Sequence, residues 1–412
     1  MRVLWFCNCP VSDSNAGGTG TWLGAMARGL LNSDAVELGI IARGPVRLFT
    51  RRDYRQVKQW LVPVGARLGR GGLPATSLVQ AIVAAVKEFS PDLVHTWGTE
   101  SFWGLLPARG LLTYPSLLEM QGLKKAIGDV FYGGLSLVQT LRCIGPKELI
   151  KRHTLYHQRR EFRLWETQEC QIIRGHQMIT VQSPWMAGQV RAINPTARLF
   201  KTDLALRKEF EASPEWQPQG RKVVFSISAY PSPFKGLHVA IRAIDVLNNR
   251  YPGVRLRVAG PFQREGLRQE GYVRWINSIV REAGLQDRVE WLGSLPGPDV
   301  VREMLSADAL LVPTFIESYC VAMAEGMLIG TPIVASFTGG TAYLGRDEET
   351  CLFFPPGDAV MCAYQLERAL SDQKLAMRLS RRGRAVAATR HNLNQIVQRQ
   401  VQIYREALEP AS

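Results

Sequence analysis

The stretch that most constrains this chain is residues 306–345, SADALLVPTFIESYCVAMAEGMLIGTPIVASFTGGTAYLG. Ala309–Val312 is an apolar run of the length of a buried strand, and Pro313 ends it. Ser318–Ile329 lacks proline and is rich in helix formers, so it predicts a helix, closed by Gly330. Ile333–Ala335 is the next strand, and Gly339–Gly340 opens a loop. Two glutamates stand out. Glu317 falls just before the helix. Glu325 lies two turns inside it, among Val321, Ala322, Ala324, Met327 and Leu328. A carboxylate in such a setting costs several kcal/mol unless something pairs with it. No Lys or Arg occurs between Ser306 and Gly345. A pair of ligand hydroxyls is therefore one natural partner for Glu325; the plainer reading is a glutamate that faces outward.

Strands alternating with helices recur along the whole chain, which implies doubly wound parallel sheets. In the first half the strands are Arg2–Cys7, Val36–Ala42, residues 91–98, Ser116–Gln121 and Met178–Gln182. In the second they are Lys222–Ser228, Val254–Ala259, Val289–Leu292, the pair in the opening stretch, and Cys351–Phe354. Turn signals cluster over residues 193–220, with Asn194-Pro195, Ser213-Pro214 and Gln217-Pro218-Gln219-Gly220. The linker is placed there. This divides the chain into residues 1–200 and 201–390. Ile396, Val397, Val401, Tyr404 and Leu408 form one stripe of a last helix (391–412), which is expected to pack back on the first unit.

A length of 412 residues exceeds one ordinary core and agrees with such a division. No apolar run is long enough to span a membrane, and the short apolar start reads as a strand rather than a signal peptide. The seven cysteines are odd in number and scattered. They read as free thiols in a reducing, cytoplasmic setting, without metal-ligand spacing. The net charge of +14 admits nucleic acid, an anionic membrane surface or an acidic substrate. No nucleic-acid-binding motif accompanies it, so no nucleic-acid partner is expected. Residues 43–72 are arginine-rich and read as a solvated face. Residues 123–175 hold ten Lys or Arg against five Asp or Glu, interleaved with bulky apolar side chains. That pattern suits a helical layer on the sheet, or a membrane surface or anionic acceptor.

Candidate binding groups fall on loops after strands, where open α/β sheets place ligands. The loop with Gly17, Gly18, Thr19 and Gly20 precedes a helix and offers backbone N–H groups to an anion. His95 and Trp97 end the strand PDLVHTWG and are candidates for the cleft wall. Lys235 precedes a helix where an ammonium can meet a phosphate. Gly339, Gly340 and Thr341 offer N–H groups.

On the motifs PDLVHTWG, TVQSPW, FKGLH, RVAGP, VEWLG, SADALLVPTFIES, E-x7-E, GTPIVAS and GG, the chain resembles the family-4 retaining glycosyltransferases of the GT-B fold. These are the glycosyl transferases group 1, of exopolysaccharide and cell-envelope type. The resemblance implies an α/β GT-B fold, two doubly wound Rossmann-like domains facing a central cleft. It implies a nucleotide-sugar donor, a glycan or lipid-linked acceptor, no cofactor and no metal. The protein would be cytoplasmic and peripheral at the inner face of a membrane. By position, Glu317 would contact the donor sugar, Glu325 the ribose diol, and Lys235 the leaving diphosphate. Ser318, Tyr319, Cys320, Gly339, Gly340, Thr341, Gly260, Gly293 and Tyr230 would complete the donor side. Gly17, Gly18, Thr19, Gly20, His95 and Trp97 would lie on the acceptor side. Gln121, counted with Glu317 and Lys235 as catalytic, stands where the family usually has His, Tyr230 where it has Arg, and Cys320 where it has Gly. A non-catalytic nucleotide-sugar binder, or an epimerase or hydrolase on the same architecture, are the alternatives these departures leave.

Overall fold

Two parallel sheets organise the computed structural model, which describes residues 1–12, 20–262 and 269–409. The first contains β1 (Arg2–Cys7), β2 (Glu37–Gly44), β3 (Thr50–Arg51), β4 (Lys58–Pro63), β5 (Leu93–Trp97), β6 (Ser116–Glu119), β7 (Met178–Val181) and β8 (Arg198–Lys201). Their order is β3-β4-β2-β1-β5-β6-β7-β8, and only β3 runs antiparallel to its neighbour. The second contains β9 (Val223–Ile227), β10 (Arg255–Ala259), β11 (Val289–Gly293), β12 (Ala309–Val312), β13 (Ile333–Ser336) and β14 (Leu352–Phe354). Its order is β11-β10-β9-β12-β13-β14, all parallel. Helices cover both faces of each sheet, so the central strands are buried from end to end. VLWFC of β1 and ALLV of β12 show it as unbroken apolar runs.

In each sheet the winding reverses between two neighbouring strands, β1 and β5 in the first and β9 and β12 in the second. Loops leaving the carboxyl ends of such a pair diverge and leave a crevice. The two crevices face one another.

Three elements differ from the sequence expectations. The arginine-rich stretch 43–72 contains β3 and β4, with Gln59, Trp60, Leu61 and Val62 buried. Its arginines sit around the sheet edge: Arg51 covers Trp60 at 5.5 Å and pairs with Asp53 and Glu88. The expected linker contains β8, an edge strand in which only Phe200 is buried. The helix expected from Ser318 begins at Val321, because Cys320 before it is left-handed, with φ 75°.

The basic segment does not stay with the first domain. Between the helices Lys124–Asp129 and Leu155–Arg174 it crosses to the second. Phe131, Cys143 and Leu155 share one core cluster with Leu237, Val239 and Tyr272. The Phe131 and Phe234 rings lie 5.8 Å apart. Glu148 accepts the N–H groups of Gly145 at 3.0 Å and Gly271 at 2.9 Å. His238 bridges Tyr272 Oη and the Gly133 carbonyl, each at 2.9 Å.

The last helix, Leu393–Leu408, lies on the first sheet. Val397 packs on Gly29, where a side chain would collide with it. Tyr404 Oη accepts from Trp5 Nε1 at 3.0 Å and lies 2.9 Å from His95 Nδ1. No described helix is long and apolar enough to cross a membrane.

Candidate active site

The facing crevices enclose a cavity of about 1050 Å³, lined by both domains. Lys235 reaches it from the loop after β9, through the single 3-10 turn Pro233–Lys235. Gly236 follows at φ 72°, pressed against the Pro313 carbonyl where a side chain would not fit. Glu317 reaches it from the loop after β12. The two strands that flank the switch point therefore supply both groups, and Lys235 Nζ lies 2.6 Å from Glu317 Oε1. Burial works against the Lys235 ammonium, but the Glu317 carboxylate more than offsets it and holds its pKa above the usual lysine value.

Ser318, Tyr319 and Cys320 continue the cavity wall. Tyr319 Oη donates to Asp203 Oδ1 at 3.1 Å, tying this loop to the interdomain connection. At φ 75°, Cys320 occupies the left-handed region that glycine favours, so a glycine in this place in the resembled family has a backbone reason.

Gly339, Gly340 and Thr341 do not line the cavity. They lie behind it. The Gly340 N–H is spent on the Glu317 carbonyl at 2.7 Å, and side chains at Gly339 and Gly340 would strike the Glu317 and Ser318 carbonyls. Thr341 is buried, and its Oγ1 donates to the Ser336 carbonyl at 2.7 Å. The Gly340 and Thr341 N–H groups are thus taken, the latter by the Thr338 carbonyl at 3.0 Å, and these residues brace the Glu317 loop. Gly293 is also set back, its carbonyl accepting the Gly260 N–H at 2.8 Å, while Gly260 and Ser294 line the cavity.

Glu325 lines the cavity, yet it has a protein partner. Arg207 Nε and Nη2 donate to Oε1 and Oε2, each at 2.7 Å. Arg207 leaves the connection after β8, 118 residues upstream of Glu325. Burial still pushes the Glu325 carboxyl up, against the pull of Arg207. Tyr230 stands at the cavity rim, half exposed. Arg207 thus brings a cation to the cavity beside Lys235 and Lys124, where Tyr230 brings none.

On the first domain, Gly20 lines the cavity at φ 89°. Gly17, Gly18 and Thr19 lie outside the described residues. Gln121 lines the cavity with its Nε2 buried and, among the described residues, without a partner. Glu100, which the sequence reading passed over, lines it beside Gln121. It lies three residues past Trp97, the last residue of β5.

His95 and Trp97 are not on the cleft wall. Both are buried in the first domain's interior. The His95 ring lies between Tyr404 and Glu119, with Nε2 3.8 Å from Glu119 Oε2, and burial lowers its pKa. They sit on the face of the sheet that the last helix covers. Among the described residues no group of three or more His, Cys, Asp or Glu is placed to hold a metal ion.

Residues 208–386 match the family model of glycosyl transferases group 1. A D-inositol 3-phosphate glycosyltransferase of Saccharomonospora viridis is 32% identical over 190 residues, 45% of this chain and 43% of that protein. The chain thus spans less than half the length of the curated relatives it matches. Sucrose-phosphate synthase from Thermosynechococcus elongatus superimposes with a TM-score of 0.73 at 19% identity, over 98% of this chain and 99% of that one. HepE from Anabaena, solved with UDP-glucose, gives 0.65 at 17% identity, over 99% and 100%. The second half of the chain therefore carries a glycosyl transferases group 1 domain, set in a two-domain GT-B fold.

Proposed function

We propose that the protein transfers a sugar from a nucleotide-sugar donor to an acceptor hydroxyl. The observation that carries this reading is the pairing of Lys235 with Glu317 at the switch point of the second sheet, on the wall of the interdomain cavity. As the bond from the anomeric carbon to the diphosphate breaks, negative charge grows on the leaving oxygen and positive charge on the carbon. Lys235 answers the first and Glu317 the second. The N-terminus of the helix Leu237–Arg250 adds its dipole beside Lys235. In this reading these groups supply the positive field without a metal. Glu325 takes the ribose diol through the lone pairs that Arg207 leaves free. Retention of anomeric configuration is carried over from the family resemblance. The structural neighbour solved with UDP-glucose supports a nucleotide-sugar ligand.

The acceptor in this reading is a glycan or lipid-linked molecule at an anionic membrane surface of the cytoplasmic side. Leu137, Val138, Leu141, Leu149 and Ile150 are exposed, Ile150 at 83%. Arg142, Lys151 and Arg152 stand exposed among them. Apolar side chains with basic neighbours match the boundary of an anionic bilayer.

Donor use is tested by binding and turnover of UDP-glucose, GDP-mannose and ADP-glucose. Saturable binding of one of them with sugar transfer or release supports the reading; binding without turnover over any acceptor favours a non-catalytic binder. Flotation with phosphatidylserine vesicles tests the membrane surface, and no flotation at low salt removes it.

A further inference from the structure

Two tyrosine hydroxyls converge on one oxygen of the chain that joins the domains. Asp203 stands shortly after β8, where the chain leaves the first sheet for the second domain. Its Oδ1 accepts from Tyr319 Oη at 3.1 Å and from Tyr343 Oη at 3.3 Å. Tyr319 is buried and follows Glu317 within the same loop. Tyr343 belongs to the short helix Thr341–Leu344, directly after Gly339 and Gly340. The Gly340 N–H holds the Glu317 carbonyl from that side, and the Gly340 carbonyl accepts the Tyr343 N–H at 3.1 Å. Asp203 therefore pins both the loop that carries Glu317 and the turn that braces it.

The anchor is itself held in place. Arg390 donates to the Leu344 carbonyl at 2.7 Å and to the Tyr343 carbonyl at 3.3 Å, and its guanidinium lies over the Tyr343 ring at 4.8 Å. Lys201 Nζ lies over the same ring at 4.9 Å. His391 Nδ1 donates to the Leu204 carbonyl at 2.9 Å, and its ring meets Tyr319 edge-on at 6.0 Å. Burial pushes the Asp203 carboxyl up, while Arg390, the Tyr319 hydroxyl and Lys201 pull against it. Hydroxyl bonds to a carboxylate are stronger than those between neutral groups, so the junction resists displacement.

We propose that Asp203 is a positioning residue for sugar transfer: through Tyr319 and Tyr343 it sets the backbone from which Glu317 faces the donor's anomeric carbon. This rests on the transfer reading. Asp203 does not line the interdomain cavity, so it acts through Glu317 rather than on the donor. Placement matters at such a group, since a misplacement of about 1 Å can cost about 100-fold in rate. The interdomain connection then orders both glutamates of the second domain, Glu325 through Arg207 and Glu317 through Asp203.

The test uses the full chain with whichever of UDP-glucose, GDP-mannose and ADP-glucose the wild-type protein turns over. Asp203→Ala is expected to lower kcat by about tenfold or more, with the donor KM within about twofold, because Glu317 answers charge that develops only in the transition state. Tyr319→Phe combined with Tyr343→Phe removes both hydroxyls and is expected to do the same; it replaces Asp203→Ala if that variant does not fold. Asp203→Asn keeps an oxygen that accepts from both hydroxyls and is expected to restore kcat to within about twofold of wild type. In a Glu317→Ala background, Asp203→Ala is expected to change the residual rate by less than about twofold, which a general loss of structure would not produce. A folded Asp203→Ala or double-tyrosine variant with wild-type kcat, or a loss that persists undiminished in the Glu317→Ala background, overturns the positioning role and leaves the donor chemistry standing. A wild-type protein inert toward every donor overturns the transfer reading, and this role with it.

Discussion

Arg207 grips Glu325 edge to edge, Nε to Oε1 and Nη2 to Oε2, both at 2.7 Å. The side chains are 11% and 4% exposed. This planar pair joins the interdomain connection to the helix Val321–Ile329 and sets the orientation of a carboxylate at the cavity. Removing one member leaves the other charge buried and alone, which costs on the order of 3–5 kcal/mol. Arg207→Ala and Glu325→Ala are therefore each expected to lose that much in urea unfolding. The double variant Arg207→Met with Glu325→Leu is expected to lose less than either.

Cys320 carries left-handed backbone at φ 75° in the loop that holds Glu317. A residue with a Cβ is strained there by about 1–2 kcal/mol. Comparing Cys320→Gly with Cys320→Ala isolates this term, since neither retains the thiol. The glycine variant is expected to be about 1 kcal/mol more stable in thermal or denaturant unfolding, and Cys320→Val less stable than both.

His176, His238 and His391 are buried, and burial lowers each pKa to about 4 from an ordinary 6.5. The folded chain favours the neutral rings, whereas the unfolded chain protonates them below pH 6.5. The stability they contribute is fully present above pH 6.5 and is lost progressively as pH falls toward 4. Unfolding free energy measured across that range is expected to drop, and His238→Gln to drop less steeply.

Glu148 ties the crossing segment to the second domain through the Gly145 and Gly271 N–H groups. Glu148→Ala leaves both donors unpaired, at a cost of about 2–3 kcal/mol. Faster hydrogen exchange is expected over residues 137–153, with little change in the helix Leu393–Leu408.

The parallel sheets were legible because both faces of each are covered, so the strands read as plain apolar runs. β4 was hidden because the arginines around KQWLV pull the average toward a solvated surface, although the run itself is buried. At the site, Lys235 and Glu317 were legible from local signals alone: a strand end, a loop and a helix start. Arg207 was not, because its partner lies 118 residues away and only the tertiary fold brings the two together. His95 misled for a related reason. The strand end it marks does point toward the crevice, but its side chain lies on the face covered by Tyr404. Gly339 and Gly340 were legible as a tight loop, but not as the brace behind Glu317.

In the proposed reaction, Lys235 is the cation that meets the leaving diphosphate. The most direct measurement is sugar transfer or release by Lys235→Ala, with the best donor among UDP-glucose, GDP-mannose and ADP-glucose at saturation. A loss of about 100-fold or more in rate is expected in a protein that remains folded, equivalent to roughly 2.7 kcal/mol of transition-state stabilisation. A folded Lys235→Ala protein that turns over the donor at the wild-type rate would contradict it.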